Sequence, residues 1–168
     1  MTVRVLGPDD AAAYQALRLQ GLRECPLAFA SSFEEEVETP LATVAERLAA
    51  QPDRAVFGVF AAQRLVGVLG LQREQMRKLA HKALLWGMYV APQGRREGAG
   101  RRLVAAALSH AASALGVSRV TLYVNAQNVA AIALYRSLGF EAFGVEPGCM
   151  QVDGELHDEI YMLCVLPT

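Results

Sequence analysis

Residues 84–115 read LLWGMYVAPQGRREGAGRRLVAAALSHAASAL. The segment opens with an apolar run that Pro92 terminates, which is typical of a buried β-strand, and it closes with apolar residues at helical spacing. Between them lies Arg95-Arg96-Glu97-Gly98-Ala99-Gly100. Glycines let the backbone approach an anion, successive N–H groups line the concavity, and a helix N-terminus adds roughly half a positive charge. The segment therefore predicts a site for a phosphate-bearing ligand.

A glycine-rich loop also occurs in dinucleotide-binding folds and in nucleoside triphosphatases, and both fit this sequence badly. No third glycine follows Gly98 and Gly100, and the strand that begins at Ser118 ends without the acidic residue that would hold a ribose. No Gly-Lys-Ser or Gly-Lys-Thr sequence exists anywhere in the chain. This loop alone therefore does not identify the class of ligand.

The rest of the chain alternates helical and β patterns without an internal repeat or a linker, so we expect one domain over residues 1–168. The predicted helices begin at Asp9 or Asp10, at the capping box Ser32 to Glu35, at Thr39-Pro40 as N-cap and N1, and at Asn128. The predicted strands are Thr2 to Leu6, the hairpin Ala55 to Ala61 with Leu65 to Gln72, Ser118 to Val124, and a second hairpin that turns at Asp153-Gly154.

The composition excludes several classes of protein. Of the residues, 53% are apolar and 20% are charged, and the net charge is -1. The net charge of the chain therefore does not attract nucleic acid or an anionic membrane. We expect no signal peptide at the N-terminus, and no apolar run approaches the ~20 residues of a membrane span. Three widely spaced cysteines indicate neither a disulfide framework nor a metal site, so a reducing cytoplasm is the expected location.

A second motif follows the loop: residues 125–140 read NAQNVAAIALYRSLGF. Together with Val90-Ala91-Pro92 and the Arg-x-x-Gly-x-Gly loop, the pattern Asn-x-x-Ala-x-x-Leu-Tyr-x-x-Leu-Gly-Phe resembles the GCN5-related N-acetyltransferases, in which both motifs occur in this order. The specific match covers about residues 84–140. The resemblance implies an α/β fold of three layers, α/β/α, whose central mixed and mostly antiparallel sheet is splayed at two parallel strands.

The resemblance also implies acetyl-coenzyme A (acetyl-CoA) as cosubstrate and no metal. Main-chain groups at the end of the first strand would pair with its pantetheine arm, loop amides would hold its pyrophosphate, and the start of the second helix would contact the arm. The implied cofactor-binding residues are Met88, Tyr89, Val90, Arg95, Arg96, Glu97, Gly98, Ala99, Gly100, Arg101, Asn128 and Ala131. Asn128 also fits a purely capping role.

Tyr135 matches the family position that protonates the departing thiolate, and a phenol with a pKa near 10 keeps its proton at pH 7. The acceptor amine must lose a proton before it attacks. Among Glu34, Glu35 and Glu36, which fall in the region that lines acceptor sites in the family, Glu35 is our choice of base. A solvated acidic first turn explains the same residues.

Phe29, Ser32 and Glu36 are the predicted acceptor-binding residues, and Trp86 is expected in the core. We therefore expect direct acetyl transfer to a primary amine of a small molecule or peptide. The alternatives are a non-catalytic acyl-CoA sensor, a hydroxyl acceptor and a different acyl donor. The apolar strand Ile160 to Leu166 pairs either within the sheet or with a second copy, so a homodimer is also open.

Overall fold

A computed structural model describes residues 1–167 as a seven-stranded sheet flanked by five α-helices. The sheet order is β1-β2-β3-β4-β5-β7-β6, and every neighbouring pair is antiparallel except β4 with β5. The strands are β1 (Thr2–Val5), β2 (Arg54–Ala61), β3 (Arg64–Arg73), β4 (Lys82–Val90), β5 (Arg119–Asn125), β6 (Phe140–Val152) and β7 (Glu155–Val165). The predicted mixed, mostly antiparallel sheet is confirmed.

Helices cover both faces of this sheet. Strand residues alternate between the faces, so Phe57 and Val59 pack in one apolar cluster with Leu103 of α4, whereas Val56 packs in the other with Leu17 of α1. The α4 face also carries α5, and the α1 face also carries α3. The helices are α1 (Ala11–Glu24), α2 (Phe33–Glu36), α3 (Leu41–Leu48), α4 (Ala99–Ser113) and α5 (Val129–Arg136). The predicted three layers are confirmed.

The parallel strands β4 and β5 pair only at their first residues. Lys82 lies opposite Arg119 and Leu84 opposite Thr121, and no pairing continues beyond Leu84 in the described strands. Gly87 has a φ of +62° at a bulge in β4, where the register against β3 shifts. The two strands consequently separate toward their C-terminal ends, which confirms the predicted splay.

The helix starts follow the predicted caps in part. Ser32 and Glu35 form the capping box of α2, and Asn128 Oδ1 accepts a hydrogen bond from the Ala131 amide at 3.1 Å. Thr39 is not the cap of α3: its carbonyl accepts from Gln15 Nε2 at 2.7 Å, so the helix begins one residue later than predicted.

Asp10 occupies the predicted N-cap position of the first helix, but its side chain does not cap that helix. The Asp10 carboxylate accepts from the Gly7 amide at 2.9 Å and from Arg4, and it makes no hydrogen bond to an amide of α1. It stabilises a short 3-10 turn, Pro8–Asp10, that precedes the helix. A side chain that bonds backward along the chain leaves α1 without a side-chain cap.

Both predicted hairpins are present, with longer strands at the C-terminus than expected. Asp153 and Gly154 have φ values of +51° and +82°, which suit a two-residue turn between β6 and β7. The stretch Ile160 to Leu166 lies mostly in β7, which pairs with β5 on one side and with β6 on the other. Within residues 1–167, no helix is long and apolar enough to cross a bilayer.

Candidate active site

The loop between β4 and α4 presents a row of unpaired amides. No carbonyl among residues 1–167 accepts a well-formed hydrogen bond from the amides of residues 96–101. The first intrahelical bond of α4 runs from the Arg102 amide to the Gly98 carbonyl at 3.0 Å. Unpaired amides at a helix N-terminus attract an anion through their partial positive charges. The loop therefore has the donors that a pyrophosphate requires.

Two glycines of this loop have separate reasons to be glycine. Gly98 adopts a left-handed φ of +81° at the N-cap of α4, which other residues rarely adopt. At Gly100, an added Cβ would lie 2.9 Å from Met88 Cε and 3.0 Å from Leu134 Cδ2. The absence of a side chain there lets the first turn of α4 approach both β4 and α5.

The arginines of the loop occupy different positions. Arg95 donates through Nε to the Val90 carbonyl at 2.8 Å and lies 3.5 Å from the Glu24 carboxylate. Arg101 donates to Ser137 Oγ of α5 at 2.8 Å. Arg96 and Glu97 are exposed, and Ala99 is buried under the first turn. Arg95 and Arg101 thus hold the loop in place, whereas Arg96 is free to contribute positive charge.

The predicted cofactor-binding strand residues point in two directions. Met88 borders a cavity between the splayed ends of β4 and β5, but the Tyr89 side chain is buried on the α1 face. The Tyr89 hydroxyl donates to Glu24 Oε2 at 2.5 Å, and burial together with that carboxylate raises the pKa of the phenol. The Val90 carbonyl is already occupied by Arg95. Of Met88, Tyr89 and Val90, only Met88 lines the cavity.

The cavity between the splayed strands, here called the splay cavity, has a volume of about 60 Å³. Tyr135 reaches it from α5, where its hydroxyl lies 3.2 Å from Met88 Sδ. The ring packs edge-on against Phe140, and burial raises the pKa of Tyr135 to about 12. The hydroxyl consequently keeps its proton throughout the neutral range and can donate it inside the cavity.

Two asparagines border the splay cavity. Asn128 caps α5 as described, and the same residue lines the cavity together with Ala131. Asn125 was not singled out from the sequence, although it opens the second motif. Its Oδ1 accepts from the Gln127 amide at 2.9 Å, while its Nδ2 is buried without a hydrogen-bond partner in the described chain. A buried donor without a partner is costly, so Asn125 is suited to a carbonyl oxygen of a ligand.

A much larger cleft, of about 1230 Å³, opens beside the splay cavity. Its walls come from α1, the segment of residues 26–34, β4, and the turn between β6 and β7. Phe29 and Ser32, both predicted to bind the acceptor, lie in these walls. Trp86, expected in the core, is partly exposed and borders this cleft as well as the splay cavity.

The three consecutive glutamates of α2 have different surroundings. Glu34 lines the cleft. Glu35 is exposed and accepts from the Ser32 amide and hydroxyl, which lower the pKa of its carboxyl. Glu36 lies behind the cleft wall; burial opposes its ionisation, but hydrogen bonds from Arg18 and Ser31 outweigh this effect and lower its pKa. The residues chosen as base and as acceptor contact, Glu35 and Glu36, are therefore engaged in local pairs outside the cleft wall.

Glu159 of β7 is the carboxylate at the junction of the two cavities. It borders both the cleft and the splay cavity, as do Trp86 and Tyr123. Its Oε2 accepts from the Cys149 thiol at 3.4 Å, and burial together with Glu159 raises the pKa of Cys149 to about 12. The sequence offered no motif for Glu159, because the pairing of Asn125 with Glu159 across β5 and β7 is what brings it here.

Within residues 1–167, His, Cys, Asp and Glu side chains do not form a group of three or more that could hold a metal ion.

A sequence profile of the acetyltransferase (GNAT) family matches residues 22–140, which is most of the chain and includes both motifs. A mycothiol acetyltransferase of Kocuria rhizophila is 45% identical over 62 residues, which cover 37% of this chain and 20% of that protein. The alignments span only 17% to 32% of the length of the curated relatives that the chain matches.

Solved structures share the whole fold. An acetyltransferase of the GNAT family from Streptococcus pneumoniae superposes with a TM-score of 0.87 at 20% identity, covering 99% of each chain. A putative acetyltransferase from Salmonella typhimurium, solved with its cofactor acetyl-CoA, gives a TM-score of 0.82 at 20% identity and covers 100% of this chain and 95% of that one. At these identities the likeness concerns the fold.

Proposed function

Because this chain belongs to the acetyltransferase (GNAT) family, we propose that it transfers the acetyl group of acetyl-CoA to a primary amine bound in the large cleft. One observation carries the proposal: the Tyr135 hydroxyl, whose pKa is raised to about 12 by burial, lines the splay cavity, and this cavity shares Trp86 and Glu159 with the cleft. Unpaired amides at residues 96–101 and the free Asn125 Nδ2 fit the pyrophosphate and a carbonyl of the pantetheine arm.

The chain supplies two proton transfers in this proposal. Acetyl-CoA supplies the thioester, and the neutral acceptor nitrogen forms the new C–N bond as the C–S bond breaks. The nitrogen then releases its excess proton to solvent and becomes the amide. Tyr135 donates its hydroxyl proton to the departing sulfur and regains one from solvent. Asn125 orients the arm, and the amides of residues 96–101 hold the phosphates.

A base is needed because an alkylamine with a pKa near 10.4 is only about 0.04% neutral at pH 7. Glu35, chosen from the sequence, is held by Ser32 and does not border the cleft. Glu159 borders both cavities and accepts only from a thiol. We therefore propose Glu159, directly or through a water molecule, as the group that accepts the proton of the acceptor ammonium.

The charges of the cleft favour a cationic acceptor. Glu34, Asp153 and Glu159 line it, and none of the three forms an ion pair within 4.0 Å in the described chain. Arg18 and Arg23 also line it, but Arg18 is paired with Glu36, and the Arg23 guanidinium lies 3.9 Å from the centroid of the Phe33 ring. The three carboxylates therefore outnumber the two arginines. A small amine that remains cationic elsewhere, or the N-terminus of a basic peptide, is the substrate class that these side chains attract.

The experiment is thiol release from acetyl-CoA in the presence of a panel of amines, with alcohols and longer acyl donors as comparison. Tyr135→Phe should lower kcat by about 10²-fold or more, whereas Tyr161→Phe, a tyrosine outside both cavities, should not. Glu159→Gln should lower activity most at low pH, and Glu155→Gln on the same strand should have no effect. Tight cofactor binding without turnover of any amine would contradict the enzymatic role, and a loss in Glu35→Gln but not in Glu159→Gln would reassign the base.

A further inference from the structure

A third cavity, of about 90 Å³, lies behind the wall of the acceptor cleft. Helices α1 and α3 and strand β2 enclose it, and Trp86 closes the side toward the cleft. The lining residues with polar or charged groups that matter here are Tyr14, Arg18, Glu36, Arg47, Arg54 and Trp86. Arg18 and Trp86 also border the acceptor cleft, so the two spaces share one wall.

The charged lining of this cavity is unbalanced. Three arginines and one glutamate face it, which leaves a net charge of +2. The single ion pair joins Arg18 Nη2 to Glu36 Oε1 at 2.7 Å. Within residues 1–167, no carboxylate lies within 4.0 Å of Arg47 or Arg54.

Two guanidinium nitrogens are buried here without a hydrogen-bond acceptor in the described chain, Arg18 Nη1 and Arg54 Nε. The other nitrogens of Arg18 are bound by Glu36 and Ser31, and its side chain is only 12% exposed. The Arg54 guanidinium lies over the Trp86 ring at 4.9 Å from the centroid, which holds it in place. Burial of a charged donor without an acceptor is costly, so both arginines keep a donor that no group of the described chain uses.

The Tyr14 hydroxyl lies within the field of all three arginines. Burial raises the pKa of this phenol, and the positive charges of Arg18, Arg54 and Arg47 oppose that rise. A protonated Tyr14 hydroxyl adds a neutral donor beside the charged ones.

We propose that this cavity binds one small oxyanion group, of the carboxylate, phosphate or sulfate class, between Arg18, Arg47 and Arg54. The planar fork of arginine matches the oxygens of such groups in a bidentate manner. A cavity of about 90 Å³ suits a single small group of this kind. Arg47 is exposed at the rim, so the anion enters from solvent past its side chain.

The oxyanion group that binds in this cavity can come from two kinds of molecule. A free inorganic oxyanion fills the cavity from solvent and, by fixing Arg18 and Trp86, stiffens the wall of the acceptor cleft. Alternatively, the carboxylate of an amine acceptor reaches Arg18 from the cleft side. The second source rests on the proposed function, whereas anion binding itself does not.

Calorimetric titration of the wild-type chain with sulfate, phosphate and acetate, at constant ionic strength and without acetyl-CoA, tests the site directly. We expect saturable binding of one anion per chain. Arg54→Gln and Arg47→Gln should each weaken it about tenfold or more, since a hydrogen bond to a charged group accounts for about that factor. Arg64→Gln, which changes an exposed arginine at the start of β3, should bind like the wild type.

Glu36→Gln should change the anion affinity in the direction opposite to the arginine variants. This change removes the one carboxylate that competes for Arg18, so anion affinity should rise rather than fall. Because Arg47 is exposed, Arg47→Gln should fold even if the buried variants do not. Absence of saturable binding to the wild type, or equal affinities in Arg47→Gln and Arg64→Gln, would overturn the proposal.

Kinetic measurements with pairs of amines that differ only in a carboxylate distinguish a free inorganic anion from the carboxylate of the acceptor. If the acceptor supplies the group, its carboxylate lowers KM in the wild type but not in Arg47→Gln, and sulfate competes with it. If the anion is inorganic, sulfate binds while KM is independent of the carboxylate. An enzyme that binds sulfate but turns over no amine would overturn the proposed function and leave this site standing.

Discussion

Asn125 combines two properties that set it apart from the other polar residues of the splay cavity. Its carbonyl is used by the Gln127 amide, and its buried Nδ2 has no partner in the described chain. A donor in this state gains a full hydrogen bond when a ligand carbonyl arrives, because it gives up no protein partner.

We expect Asn125→Ala to weaken acetyl-CoA binding about three- to tenfold, which corresponds to one neutral hydrogen bond. Titration of the cofactor followed by calorimetry measures the change. Gln127→Ala alters an exposed side chain of the same turn and serves as the control. Equal affinities of Asn125→Ala and the wild type would mean that Nδ2 faces no cofactor atom.

Tyr135 makes folding stability depend on alkaline pH. Burial raises its pKa to about 12 in the folded state, and the unfolded value is about 10. Because the folded pKa is the higher one, the contribution is complete below pH 10 and is lost as the pH rises from about 10 to about 12. The loss amounts to roughly 2–3 kcal/mol.

This loss is measured by urea unfolding of the wild type and of Tyr135→Phe between pH 8 and pH 12. Over the upper two pH units, the unfolding free energy of the wild type should fall by about 2–3 kcal/mol relative to that of Tyr135→Phe. Other tyrosines titrate equally in both proteins, so the difference isolates Tyr135. Parallel curves would mean that the hydroxyl is open to solvent.

Strands β3 and β4 pack closely at Gly70, where the Trp86 ring of β4 occupies the space of a side chain. A Cβ on Gly70 would lie 2.0 Å from Cε2 of Trp86, a rigid ring that cannot yield by a rotation of its end. Trp86 in turn borders the acceptor cleft and both smaller cavities. The small residue on β3 therefore sets the position of a wall that belongs to β4.

Gly70→Ala should lower the free energy of unfolding by about 1–3 kcal/mol, as overpacking of a core does, and should raise KM for the acceptor because Trp86 must move. Gly7→Ala is the matched control, since no atom lies within 4 Å of its added Cβ. Chemical denaturation and acceptor kinetics measure the two effects. Unchanged stability would show that β3 and β4 separate at no cost.

The elements could be predicted where a local pattern determines them. The Ser32 to Glu35 capping box and the Asn128 cap are bonds between residues three apart, so their spacing suffices. Thr39 failed as a cap because its carbonyl is bound by Gln15, which is distant in sequence. Local sequence carries no information about such a partner.

The residues of the candidate site were likewise predictable only where a local motif contains them. The glycine loop and Tyr135 could be predicted because each lies within one short motif. Glu159 and Arg18 could not, because a strand pairing and the packing of α1 against β4 bring them to the cleft. Glu35 was attractive for its charge and position, but the capping box that the sequence itself encodes occupies its carboxylate.

The two faces of the molecule are joined through the loop between β4 and α4. Arg95 connects this loop to Glu24 at the end of α1, and Arg101 connects it to Ser137 at the end of α5. The amides of residues 96–101 lie between these two attachments. A ligand on the amides is consequently in contact, through one residue on each side, with helices of both layers.

We expect this connection to make unfolding a single cooperative transition that acetyl-CoA shifts as a whole, in agreement with one domain over residues 1–168. At a cofactor concentration 100 times its Kd, binding to the folded state adds about 2.7 kcal/mol, which raises Tm by about 5–10 °C for a chain of this size. Differential scanning calorimetry with and without acetyl-CoA measures the shift, and free acetate at the same concentration controls for the small group. Two transitions, of which the cofactor moves only one, would show that the layers unfold separately and that the Arg95 and Arg101 contacts do not couple them.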